Sequence, residues 1–258
     1  FYVKASTGTK LGEVGYGIDY IENKYQVSTQ NVNVGTNWSK VIIPIPDASK
    51  LVNERGVFWF AAGTQTTGGA GYALWFDEIK FEKLGTVGNP SSNILGGQTS
   101  TVKSFIGSSI NVTGLNHIYN LANGTDVTVG STAAYYKFTS SNPAVASVND
   151  SGIVKVLTTG TAEITATVRG IRAKGKLIIE SKGNLPGAPV PTKAQSVVKS
   201  IFSDTYVNET ESNFTPGFGG STTVTDILTT SNGKVLQYTN NNYTGIMFAN
   251  TVDATTFG

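Results

Sequence analysis

Apolar and polar positions alternate along most of this chain, in short runs broken by clusters of Gly, Asn, Ser and Pro. Successive side chains on a strand point to opposite faces, so this rhythm predicts strands with one buried and one solvated side. Over residues 135–181, three short alternating strands are separated by turn clusters, the layout of a small antiparallel sandwich. Residues 25–30 and 40–45 are further strand candidates. Residues 56–63 are apolar throughout between turn residues, which predicts a central strand covered on both faces. A Gly-rich hairpin loop at 68–71 leads into a long strand over 72–81. In that strand Ala73, Trp75, Asp77, Ile79 and Phe81 share one face, and Leu74, Phe76, Glu78 and Lys80 share the other. Later strands are predicted near 197–203, 222–229, 234–239 and 244–249, with a brief helical turn over 194–199. The expectation is an all-β chain in three segments, 1–87, 98–181 and 192–258. A Gly-, Asn- and Ser-rich run (85–97) and a Pro-rich run (183–191) link them.

Composition narrows the class of protein. With 258 residues the chain is long enough for two or more domains, and its 30 Gly, 12 Phe and 11 Tyr favour strands and turns over helices. Only 14% of residues are charged and the net charge is +2, so no basic stripe argues for nucleic acid. Cys is absent, which excludes both a disulfide framework and a thiolate metal site. No apolar run is long enough for a membrane-spanning helix, so no membrane insertion is expected. The chain opens inside an apparent strand at Phe1-Tyr2-Val3 and stops at Phe257-Gly258 without a terminator, as expected of a piece of a longer polypeptide.

Specific motifs carry two family resemblances. Ser140-Ser141-Asn142-Pro143, Val145-Ala146-Ser147-Val148, Gly152 and Gly160-Thr161-Ala162 stand where group 2 bacterial immunoglobulin-like domains have them, and residues 98–181 resemble that family. Asn37-Trp38-Ser39-Lys40, the run Ile42–Pro46 and Trp75-Phe76-Asp77-Glu78-Ile79 resemble the C-terminal half of a jelly-roll carbohydrate-binding module. Residues 198–206 and 233–239 resemble the N-terminal half of such a module. The fold implied is jelly-roll-like β-sandwich segments flanking an immunoglobulin-like β-sandwich. Neither half has enough strands to close a two-sheet sandwich. Either the halves are completed by neighbouring repeats of the same polypeptide, or residues 192–258 pair with 1–86 as a permuted module. The resemblances imply a secreted or cell-surface bacterial protein that binds polysaccharide. The alternative they leave open is a structural stalk without sugar binding.

Sugar rings stack their apolar faces on Trp and Tyr, while Asn, Gln, Asp or Arg bind the hydroxyls. Tyr20, Tyr25, Trp38 and Tyr72 are the candidates for such a platform, Tyr20 and Tyr25 being best placed for exposure. Trp59 and Trp75 lie in apolar strands and are expected in the core. In the jelly-roll modules that segment 1 resembles, an Asp at the place of Asp77 often helps hold structural calcium, and Asp204 is a second candidate ligand if the halves meet. Without a metal, Asp77 is expected to accept hydrogen bonds from nearby loop amides. No enzyme chemistry is expected. The single histidine, His117, reads as a surface residue of the sandwich, and the adjacent acids Asp77 and Glu78 point to opposite faces, so they cannot form a glycosidase pair. Gly12–Gly17 lacks the lysine and the following helix of a phosphate loop.

Overall fold

The computed structural model describes residues 1–18, 23–88, 91–230, 232–239 and 241–255. The chain is all-β, as its alternation predicts, built from antiparallel sheets packed face to face. In the first segment the strands are β1 (Tyr2–Ala5), β2 (Thr9–Tyr16), β3 (Val27–Val34), β4 (Ser39–Lys40), β5 (Trp59–Ala61) and β6 (Leu74–Asp77). One layer is the sheet β4-β1-β6, and the other is β5-β2-β3. Val3, Ala5, Leu11, Val14 and Val34 are buried between them, with Phe1, Phe58, Leu74 and Phe76 packed around their margin. Because Val3 and Ala5 point inward, Tyr2 and Lys4 must point outward.

Four expectations for this segment need correction. Of the strand expected over 40–45 only Lys40 lies in a strand, and residues 41–45 belong to none. The loop at 68–71 joins β5 and β6, which lie in different sheets and do not pair, so it closes no hairpin. The strand within 56–63 is not central, since β5 is an edge strand that pairs only with β2, and Phe60 and Ala61 are exposed. Its apolar character comes from an aromatic rim in which Phe60 meets Phe76 at 4.8 Å and Phe58 at 6.1 Å between ring centroids. The long strand over 72–81 is shortened to β6, because Glu78 adopts a left-handed backbone (φ 51°) that breaks the pleat.

The expected link is itself structured, with β7 (Ser91–Asn93), and the middle segment follows with β8 (Thr99–Ser104), β9 (Ser109–Asn111), β10 (Asn116–Asn120), β11 (Asp126–Ser131), β12 (Lys137–Ser140), β13 (Ala146–Val148), β14 (Ile153–Val156), β15 (Gly160–Val168), β16 (Ile171–Arg172) and β17 (Lys176–Ser181). The sheet β12-β15-β17-β8, with β8 parallel to β17, and the sheet β13-β14-β9 share one core. Along β15, Ala162, Ile164, Ala166 and Val168 are buried while the alternate Thr and Glu positions face out. Val154, Val156, Leu177 and Ile179 complete that core.

The hairpin β10–β11 joins the first two segments. Gly130 pairs with Ser28 and Ser131 with Val27, giving one six-stranded sheet in the order β5-β2-β3-β11-β10-β7. Tyr16 and Val27 are buried in the same cluster as Tyr135 and Tyr136. Gly15 holds the approach of β2 to β3 beside this junction. A Cβ on it would lie 2.1 Å from the Val27 carbonyl oxygen and 2.9 Å from the Ser28 Cα, both backbone atoms that move only with their strand. Gly15→Ala is therefore expected to destabilise the fold by about 2–3 kcal/mol. Gly35→Ala, where nothing lies within 4 Å of the added carbon, is the control for chemical denaturation and should change the midpoint little.

The third segment is built differently. Its strands β18 (Glu211–Asn213), β19 (Val224–Thr230), β20 (Gly233–Thr239) and β21 (Met247–Phe248) form two separate two-stranded sheets, β18-β21 and β19-β20. Among the described residues from 182 to 255 no apolar side chain is buried, and Ile201, Ile227 and Met247 are exposed. No strand ladder joins these strands to residues 1–87 among the described residues. The brief helical turn expected near 194–199 is present as a 3-10 turn, Gln195–Val197.

Candidate functional site

The outward face of β4-β1-β6 gathers the chemically distinctive side chains. Lys4 on β1 pairs with Trp75 on β6, Tyr2 pairs with Asp77, and on the other side Tyr2 pairs with Lys40 of β4. Directly opposed residues in a sheet project to the same face, so Tyr2, Lys40 and Asp77 stand together, beside Lys4 and Trp75. Trp38, just before β4, closes the group. The Lys4 ammonium lies 5.8 Å from the Trp38 ring centroid and 5.6 Å from that of Trp75. These are cation–π distances, and they hold the lysine between two indoles. Trp38 is 49% exposed and Trp75 46% exposed, so both rings offer surface to solvent.

The charges around the indoles are individually partnered, except for Lys4. Lys40 donates to Glu82 at 2.9 Å, and that contact holds the Glu82 carboxyl below its ordinary range. Asp77 accepts from the Glu78 backbone N–H at 2.7 Å, as expected for an Asp serving a neighbouring amide. Glu78 is itself paired with Lys80 at 2.6 Å.

The remaining candidates are dispersed. Trp38 is exposed, whereas Tyr25 is half-buried, with its ring edge-to-face against Tyr135 at 5.6 Å and its carbonyl accepting from the Tyr135 hydroxyl at 3.0 Å. The expectation that Tyr25 is exposed is thus corrected, because it packs across the junction between the first two segments. Tyr72 donates its hydroxyl to the Gly63 carbonyl at 2.9 Å, bracing the connection between β5 and β6. Tyr20 lies outside the described residues. Trp59, expected in the core, is only half-buried on the edge strand β5, with its indole nitrogen buried and without a hydrogen-bond partner. Trp75, expected in the core, is exposed. Its face carries Asp77 whereas the opposite face carries Leu74 and Phe76, so the solvent side of the strand was marked in the sequence by the carboxylate.

The two carboxylates considered for calcium serve different turns. Asp204 accepts from the Lys234 backbone N–H at 2.5 Å, beside the β19–β20 hairpin, and no hydrogen bond or ion pair links it to Asp77. Among the described residues no group of three or more histidine or acidic side chains is placed to hold a metal. Calcium takes six to eight oxygens, backbone carbonyls among them, so two carboxylates alone do not define a site for it.

His117 also departs from expectation. It is fully buried rather than at the surface, with Nδ1 2.9 Å from the Ser92 hydroxyl and Nε2 2.9 Å from the Ser131 hydroxyl, stacked on Tyr136 at 5.3 Å. Burial pushes its pKa down from 6.5 to about 4. One serine donates and the other accepts, which satisfies a neutral imidazole. Sealed inside the sheet, the ring offers no approach to a substrate.

Two grooves accompany the face. One, of about 870 Å³, runs beside the β3–β11 junction and is rich in polar side chains such as Gln30, Asn33, Asn116, Asp126 and Thr128. The other, of about 580 Å³, lies between residues 41–45 and 79–84 and is mostly apolar. No helix among the described residues is long and apolar enough to cross a membrane. No protein-family model matches the chain, and a search of curated proteins returns no match.

Proposed function

We propose that this chain is a noncatalytic, polysaccharide-binding part of a modular bacterial protein that works outside the cell or on its surface. The observation that carries this reading is the pair of half-exposed indoles, Trp38 and Trp75, on one face of a small rigid sheet. Exposed aromatic rings beside polar groups are what a sugar needs, with stacking on its C–H face and hydrogen bonds to its hydroxyls. Tyr2 and Asp77 supply such polar groups at the margin. The strands position the rings before any ligand arrives, which limits the entropy lost on binding. Residues 98–181 act as a spacer that holds binding faces apart.

Tryptophan fluorescence during titration with soluble β-glucans, xylans and mannans tests the reading. A saturable shift is expected for at least one glycan, with Trp38→Ala and Trp75→Ala each weakening it by about tenfold or more, since central aromatic anchors dominate binding energy. Binding that neither variant affects would move the site to a groove. A flat response from the folded chain would favour a structural stalk. That second reading has its own support in the third segment, whose described residues bury no apolar side chain. It predicts concentration-dependent self-association in sedimentation experiments.

A further inference from the structure

Resting on the carbohydrate-binding reading, we propose that the Trp38–Trp75 face selects an acidic polysaccharide, with Lys4 binding the carboxylate of a uronic-acid ring. Three observations lead there. First, Lys4 stands between the only two exposed indoles of the chain's described residues, within 6 Å of both ring centroids. A ring stacked on either indole brings its substituents within reach of that ammonium. Second, no ion pair of the described residues includes Lys4, whereas its neighbour Lys40 is already paired with Glu82. The ammonium is thus the one cation of this face without a carboxylate of the protein. Third, the negative charge of the face, Asp77, sits opposite Tyr2 at the far end of β6, with one oxygen held by the Glu78 amide. The face is therefore polar along its length. A carboxylate is favoured over Lys4 and hydroxyl groups are favoured near Asp77.

A neutral sugar over Lys4 offers the ammonium only hydroxyl oxygens in exchange for water. A uronate offers an ionised acceptor, so the contact gains an attraction between opposite charges that a hydroxyl does not supply. The pair is partly solvated, so its contribution falls as salt is added. The carboxylate supplies selectivity and the indoles supply most of the contact area.

Polygalacturonate and its carboxyl-reduced, neutral counterpart differ only in the group at issue, and titrating the intact chain with each measures the preference directly. The acidic polymer should bind about tenfold more tightly at low salt, an advantage expected to shrink towards unity at high salt. Lys4→Met should bring the ratio of the two affinities to about one, and Lys4→Arg should retain it because the guanidinium keeps the charge. A ratio near one in the wild-type chain, or a ratio that Lys4→Met leaves unchanged, overturns the proposal. Binding of neutral glucan, xylan or mannan without binding of the polyuronate also overturns it while leaving the carbohydrate reading intact. Failure of every polymer to bind removes both.

Discussion

Lowering the pH from about 7 to about 4 is expected to remove about 3 kcal/mol of folding stability through one side chain, His117. In the folded chain its imidazole is buried and neutral, with a pKa of about 4, while in the unfolded chain it titrates near 6.5. Between those values the unfolded state binds a proton that the folded state refuses. The contribution is therefore fully present above pH 6.5 and is lost progressively as pH falls towards 4. Because His117 is the only histidine, its imidazole resonances in an NMR titration report this pKa without ambiguity. Denaturation midpoints across the same range should fall in the wild-type chain and flatten in His117→Gln. An imidazole that titrates near 6.5 in the folded protein would contradict the sealed site. The two serines satisfy the neutral ring, but they do not replace the water that a charged one requires.

Ile164→Ala is expected to destabilise the fold by about 2–5 kcal/mol, the cost of removing buried methylenes and leaving a cavity. Ile164 is fully buried in the middle of β15, between β12 and β17, and it belongs to the cluster that also holds Tyr16 and Val27 of the first segment. Ile227→Ala in β19 removes a similar side chain from an exposed position and should change stability by less than about 0.5 kcal/mol. Urea unfolding of both variants compares them directly. Equal losses would mean that the third segment has a core of its own in solution. A large loss at Ile164 alone places the folding energy in the first two segments, as the distribution of buried residues requires.

The candidate face illustrates how far the residues speak for themselves. Trp38 was recognisable because it stands in a turn between Asn37 and Ser39, where an exposed ring is unsurprising. Trp75 was concealed by its apolar neighbours, although the alternation of Leu74, Phe76 and Asp77 set its direction. Lys4 gave no local signal, because its meaning depends on pairing with Trp75, a residue far along the chain. Tyr25 looked exposed for the same reason, since the ring that covers it, Tyr135, belongs to another segment.

By itself the sequence determined the all-β character and the turn at Gly152, which has positive φ, while the three strands expected over 135–181 proved to be six. These depend on period-two alternation and on backbone conformations that favour glycine, and both act over a few residues. Tertiary structure alone decided that β3 pairs with β11, so that the first two segments share a sheet and a core. It also sealed His117 between serines from β7 and β11, and set Lys4 between two indoles. Each of these results depends on which strands become neighbours. Alternation gives a strand its faces, but a partner strand and the layer packed over it decide which face meets water.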